Sequence, residues 1–424
     1  MAHRTELVVL LALAAGCCAA AELPGPDGGG VGLKPFDFGG YVEGRLTHYQ
    51  LNRDGAFYQV MFADQPERST LDRASATLRL TGSARTAEWS FRFRTFSDAE
   101  HTQISHDSEN RFDELAVSWK PRPEFMLDAG KIALRWGEGY TWNPVAFVER
   151  PKDPTDPRQP REGYTMILAR MAGNFPGALR SVAFTPLLLP VTEDVNSDFG
   201  KHGHLNLAAR LELQYSETDV DFYFLSNGSR SERAGLDFSH DVLDGLEIYG
   251  EWAWISEQDF RLTTPAGTIS TRRESVTSYL AGARYRTRPG TSIVFELQHN
   301  GAGLTSSEFQ DFIALVDNAV QAGAGSALMD RAQSLADSGY GRLKPLRNYL
   351  YFRASRSALP YTPSIRTTVN LQDGSYSIAP ELLYTLRGRW GLRARLTFLG
   401  GGAGTEYGEK YYSRSFELRL HFHF

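Results

Sequence analysis

The chain has 424 residues, a net charge of −5, a mean hydropathy of −0.35 and two cysteines. No apolar run of about 20 residues follows the first 21 positions, which excludes a helical membrane protein, and the mixed charge gives no signal for a nucleic-acid partner. Both cysteines, Cys17 and Cys18, lie in the leader, so a secreted product has no disulfide to rely on.

In chain order, Arg4 followed by the apolar run Leu7 to Ala15 and the small residues Ala19-Ala20-Ala21 predicts a secretory signal over 1–21. A second cut, before Cys17 in Ala14-Ala15-Gly16-Cys17, is lipobox-like and would leave a lipidated cysteine. Residues 22–36, rich in Gly and Pro, predict a flexible lead-in, and 37–424 a single domain.

From there the chain alternates. Leu205, Leu207, Ala209, Leu211, Leu213 and Tyr215 share one face, with Asn206, Arg210, Glu212 and Gln214 on the other. The same period of two runs through Trp89-Phe91-Phe93, Val220-Phe222-Phe224, Ile248-Gly250-Trp252, Ile293-Phe295-Leu297 and Leu392-Ala394-Leu396-Phe398. Each segment is near the about 9–11 residues that a tilted strand needs to cross a bilayer. Short connections (such as Pro121–Glu124, Ser216–Thr218 and Leu243–Gly245) alternate with long ones (Asn52–Asp72, Asp98–Arg111, Gly137–Glu162, Pro190–Gly203, Ser256–Arg273, Asn300–Arg347, Gly401–Ser413). The count comes to about 18 strands, within a range of about 16–18, and predicts an all-β, antiparallel up-and-down transmembrane β-barrel with both termini on the short-turn side.

If the apolar face meets lipid, the opposite face lines a pore. Arg79, Arg92 and Arg94 on early strands and Arg366, Arg393, Arg395 and Arg419 on late ones become neighbours on closure, while Glu212, Glu247, Glu251 and Glu296 face them. A basic wall opposite an acidic wall would set a transverse field on a permeating solute; the alternative is a set of salt-bridged ladders that fill the interior. The loop Gly137–Glu162, third on the long side, is the predicted constriction, with Glu149, Arg150, Lys152, Asp153, Asp156 and Arg158 as its charged candidates and prolines to restrict it.

The stretch Arg135-Trp136-Gly137-Glu138-Gly139 with Asn143-Pro144 is similar to a Trp-Gly/Asn-Pro pattern found in several large outer-membrane families, alginate-export-like barrels among them. The strand before it, Phe125–Arg135, loses clean alternation at Gly130-Lys131, which predicts a bulge. Farther on, Thr305-x-x-Glu308 is a capping box, and Phe309, Phe312, Ile313, Val316 and Val320 fall on one helical face; a second helix is predicted around Ala327–Ala336. This long-side loop would cap, plug or bind.

The chain ends Phe416-Glu417-Leu418-Arg419-Leu420-His421-Phe422-His423-Phe424. This tail resembles the C-terminal signature of Gram-negative outer-membrane β-barrels, in which the last aromatic residue, here Phe424, addresses the chain to the barrel-assembly machinery. The resemblance implies residence in the cell outer membrane, contact with its lipid and lipopolysaccharide, and a porin-like channel for small hydrophilic solutes, anions among them. Alginate-export-like transport of an anionic polysaccharide, or a plugged surface-binding barrel, are the alternatives. A monomer is expected. No spacing defines a catalytic set, a cofactor site or a metal site: His202 and His204 with Asp198, and His101 and His106 with Asp98, Glu100 and Asp107, read as solvated loops.

Overall fold

The computed structural model describes residues 36–424 apart from 154, 155, 158, 289 and 387. The predicted leader, and the lead-in except Phe36, lie outside the described residues, as does Arg158. Eighteen strands form one closed antiparallel sheet. In chain order they are β1 (Phe36–Leu51), β2 (Thr70–Arg85), β3 (Trp89–Thr102), β4 (His106–Arg122), β5 (Phe125–Ile132), β6 (Tyr164–Asn174), β7 (Leu179–Val191), β8 (His204–Tyr215) and β9 (Thr218–Leu225). The second half comprises β10 (Arg233–Leu243), β11 (Leu246–Thr263), β12 (Ile269–Arg286), β13 (Thr291–His299), β14 (Asn348–Arg356), β15 (Tyr361–Asn370), β16 (Tyr376–Thr385), β17 (Trp390–Gly400) and β18 (Tyr412–His423). Each strand pairs with its successor, and β18 pairs with β1 in register Leu46↔Leu418 to close the barrel. Phe424 sits at that seam, where it exchanges two backbone hydrogen bonds of 3.1 Å with Gly40.

Closure satisfies every strand edge, which is what a sheet in hydrocarbon requires. The alternation then sorts side chains by solvent. Leu205, Leu207, Phe222, Phe295, Phe398, Phe416 and Leu420 are exposed on the outside and form a lipid-facing belt. At the short-turn rim, aromatics stack across strands: Trp89 on Trp119 at 6.0 Å, Tyr361 on Tyr384 at 4.9 Å and Trp390 on Phe422 at 4.7 Å. Such girdles mark the interface of a membrane barrel.

Three local expectations differ from the structure. The segments Asp98–Arg111 and Ser256–Arg273 are mostly strand: β3–β4 and β11–β12 continue past the apolar belt as protruding hairpins that turn at 103–105 and 264–268. Above the bilayer the outer face of these strands meets water instead of lipid, so the apolar half of the alternation disappears and the segment reads as a polar loop; the inner face of β11–β12 packs against the helical loop, with Phe260 buried. No bulge occurs at Gly130-Lys131, where the register Ala116↔Gly130 and Leu115↔Lys131 is continuous; the irregularity lies between Trp119 and Arg122. Gly130 breaks the pattern for another reason. Its φ is +126°, and a Cβ there would come within 2.3 Å of the Leu115 carbonyl oxygen.

The helical loop after β13 holds α2 (Ser306–Ala322) and α3 (Ala327–Leu335), and a short α1 (Ala56–Met61) follows β1. The capping box forms as predicted: Thr305 Oγ1 accepts from the Glu308 N–H at 3.2 Å, and Glu308 Oε2 accepts from the Thr305 N–H at 2.9 Å. The buried face of α2 is Phe309, Phe312, Ile313, Leu315, Val316 and Ala319, while the predicted Val320 is exposed. Leu315 and Ala319 replace it because α2 is covered on two sides, by α1 and by α3. Phe312 stacks on Tyr340 at 4.6 Å and packs on Phe57 of α1 at 5.6 Å. The helices roof the long-loop rim.

Candidate functional site

The loop between β5 and β6 enters the barrel. Its first part is anchored on the β5–β13 side by apolar packing and by two carboxylates. Trp136 lies on Tyr223 with ring centroids 5.2 Å apart, and Val145, Phe147 and Val148 are buried among Met166, Leu189 and Leu225 of the strand walls. Glu251 accepts from the Gly139 N–H at 2.6 Å, from the Asn143 side-chain amide at 2.8 Å and from the Val145 N–H at 3.5 Å. Glu296 accepts from the Thr141 N–H at 3.1 Å and its hydroxyl at 2.7 Å, and from the Tyr140 N–H. Tyr249 and Gln298 complete the shell of Glu296 at 3.0 Å each.

This geometry gives the Trp-Gly/Asn-Pro stretch a physical reason. Backbone N–H groups can reach a carboxylate from this side only if no side chain intervenes. At Gly137, with φ of +89°, a Cβ would lie 2.7 Å from Glu251 Oε1; at Gly139 it would lie 2.1 Å from the Trp142 carbonyl oxygen. Asn143 supplies a neutral donor to the same oxygen that accepts from Gly139.

The loop then crosses to the opposite wall. Asp156 accepts from Arg419 at 2.8 Å and Arg393 at 3.0 Å, with Arg395 at 4.0 Å. Burial opposes ionisation of Asp156, but the surrounding arginines outweigh it and hold the carboxyl below its usual range. Between the two anchors, Glu149 is buried and bonded to the Trp136 N–H and to Arg161. Burial pushes its carboxyl up to about 7, against the pull of Arg161. Arg150 pairs with Glu162 at 3.2 Å and lies over the Tyr164 ring, while Lys152 donates to the carbonyls of Gly139 and Tyr140. Asp153 faces the cavity described below.

The remaining candidates are paired along their own walls. Arg79 meets Asp113 at 3.0 Å; Arg92 meets Glu114 at 2.6 Å; Arg94 lies 3.6 Å from Glu114 and 3.8 Å from Asp113. On the late strands Arg366 and Arg395 share Glu381, at 2.6 and 2.8 Å, and Arg419 holds Glu417 at 2.7 Å. Glu247 pairs with Arg284 at 2.8 Å, and Glu212 with Arg170 at 3.3 Å. The luminal charges therefore form ladders within each wall, and the sequence reading of one basic and one acidic wall missed Asp113, Glu114, Glu381 and Glu417. Glu417 was legible, since it shares the Arg419 face of an alternating tail; Glu381 was hidden behind Pro380.

The roof joins the same network. Lys344, just after the helices, donates to Gln298 Oε1 at 2.8 Å and to Thr141 Oγ1 of the inward loop at 3.3 Å. Between roof and wall lies a cavity of about 760 Å³, bounded by β1, β2 and β15–β18, by Asp153 and by the 401–411 loop. Among the described residues no cluster suited to a metal ion occurs, and His202 bonds to the Ser197 carbonyl.

No family model and no curated protein matches the chain. Solved structures do. Wzi of Escherichia coli, titled an outer-membrane protein involved in group 1 capsule assembly and a carbohydrate-binding β-barrel, is 12% identical over 92% of this chain and 84% of its own, with a TM-score of 0.54. OccAB3 of Acinetobacter baumannii is 11% identical over 92% of this chain and 99% of its own, with a TM-score of 0.48. A Rhodopseudomonas blastica porin variant is 10% identical over 92% and 100%, with a TM-score of 0.43. The likeness to Wzi establishes the fold, that of a closed outer-membrane barrel.

Proposed function

We propose that this outer-membrane β-barrel is occluded at rest and binds carbohydrate at its outer face. One observation carries the reading: the inward loop is fastened to both walls of the lumen, by Glu251 and Glu296 on one side and by Arg393 and Arg419 on the other. A loop tied across the lumen divides its cross-section, whereas one lying along a single wall leaves a free passage beside it. The roof adds a second barrier, tied to the loop through Lys344. Wzi, similar in fold, is described as carbohydrate-binding, which agrees with a barrel whose work lies at its rim.

A second reading is favoured by the ionic clasp on Asp156. Release of that one carboxylate would leave Arg393 without its ion pair, loosen Arg395 and Arg419, and open a path along the β15–β18 wall, giving a gated, porin-like route for small anionic solutes. Conductance in planar bilayers separates the two. An occluded binder shows no steady conductance in the wild type, and removal of the loop from 140 to 157 opens it. Steady conductance of the wild-type protein would instead establish the porin-like reading.

A further inference from the structure

Among the luminal cations discussed above, arginines dominate and each has a carboxylate close by. The two lysines of the cap differ. Lys344 donates to Gln298 and Thr141, both neutral. Lys410 lies 5.0 Å over the ring of Phe57 and 3.5 Å from the Arg342 carbonyl oxygen. Among the described residues neither has a carboxylate within 4.0 Å, and both line the cavity of about 760 Å³. That size falls in the range of about 300–1,000 Å³ typical of small-ligand sites.

The same cavity holds a buried polar atom with no partner. Glu406 is 1% exposed; its Oε2 accepts from Tyr349 at 2.7 Å and Asn370 at 2.8 Å, while its Oε1 has no hydrogen-bond partner. An unsatisfied buried oxygen costs about 1–3 kcal/mol, so a ligand hydroxyl placed there is favoured. Burial also pushes this carboxyl upward, toward a form that can donate as well as accept, and lessens its claim on Lys410. Beside it Tyr49, Tyr411 and Tyr412 form an aromatic cluster, with centroids 4.8–5.7 Å apart. The exposed side chains of Met61 and Leu343 stand at the rim of the cavity.

We infer that this cavity is the binding site for an anionic saccharide, with its charged group toward Lys344 and Lys410, a hydroxyl on Glu406 Oε1 and a sugar face on the tyrosines. Aromatic rings suit the C–H face of a pyranose and the lysines suit an anionic group, while of the carboxylates that line the cavity Glu417 is already held by Arg395 and Arg419. This site rests on the carbohydrate-binding reading and names its ligand class.

The test uses the full-length barrel in detergent, titrated calorimetrically with tetragalacturonate and with its fully methyl-esterified form, which has the same rings and no charge. The acid should bind at least about tenfold more tightly than the ester, the difference expected from one charge-assisted contact. Lys344→Gln with Lys410→Gln should erase that difference, and Tyr411→Ala should weaken both ligands. Heat-modifiable mobility on gels confirms that each variant is folded, and Lys410→Arg, which keeps the charge, should retain the preference. Equal affinity for acid and ester, no binding of the acid, or acid binding unchanged in the folded double-lysine variant would each overturn the assignment. In the last case saccharide is bound elsewhere and the broader reading survives; steady conductance of the wild type would remove that reading itself.

Discussion

The two ends of the inward loop are held by opposite chemistries. On the β5–β13 side the partners are backbone N–H groups, a neutral amide and a hydroxyl, all aimed at two buried carboxylates and flanked by Trp136, Val145 and Phe147. On the β15–β18 side a single carboxylate, Asp156, sits among Arg393, whose ion pair is with Asp156, and Arg395 and Arg419, which are also paired with Glu381 and Glu417. The first anchor is dry and has many bonds, each of which would leave a buried donor unsatisfied if broken. The second rests on one carboxylate shared by Arg393 and Arg419, and Arg395 and Arg419 keep Glu381 and Glu417 when it opens. A loop built this way has a fixed root and a releasable tip.

The largest effect is expected at the root. Glu251→Ala combined with Glu296→Ala leaves the Gly139, Tyr140 and Thr141 N–H groups without acceptors, at about 1–3 kcal/mol for each. The loop should leave the lumen, which limited proteolysis reads as new cleavage between 137 and 162 while the barrel stays heat-modifiable. An uncleaved loop in that variant would mean that apolar packing alone holds the root.

At the tip the expected effect is smaller. Asp156→Asn removes one charge-assisted clasp, worth about 1.5–3 kcal/mol at most, and leaves Arg395 and Arg419 with Glu381 and Glu417. Brief openings should appear in bilayer recordings, with no change in the melting of the barrel. Proteolytic cleavage of the loop as extensive as in the root variant would erase the distinction between the two ends.

The third effect is on pH. Burial raises the Glu149 carboxyl from 4.5 to about 7. A raised carboxyl binds its proton more tightly in the folded loop than in the released one. The docked loop therefore gains stability as pH falls from about 7 toward 4.5 and loses it on the way back. Proteolysis of the loop should slow modestly across that window, and Glu149→Gln should flatten the profile; a Gln variant with the wild-type slope would place the titrating group elsewhere.

The strand count, the parity of long and short connections and the outward face of each strand were legible because they are local. Lipid selects one side of every strand, and a period of two records that selection residue by residue. Where lipid is absent, as in the β3–β4 and β11–β12 hairpins above the membrane, the same backbone leaves no apolar trace, and the sequence reads as loop. The inward loop was legible as a stiff, charged, third long connection, and the helical roof through its capping box and apolar spacing.

Which charge meets which is set by tertiary structure alone. Asp156 and Arg419 are 263 residues apart, and Gly139 and Glu251 are 112 apart. Neighbouring strands bring Arg395 to Glu381 and Arg79 to Asp113, so walls that look single-signed from a list of inward positions carry both signs once adjacent strands are in register. Periodicity fixes the direction in which a side chain points. Closure of the sheet and the path of a loop through it fix what that side chain finds there, and no local pattern carries that information.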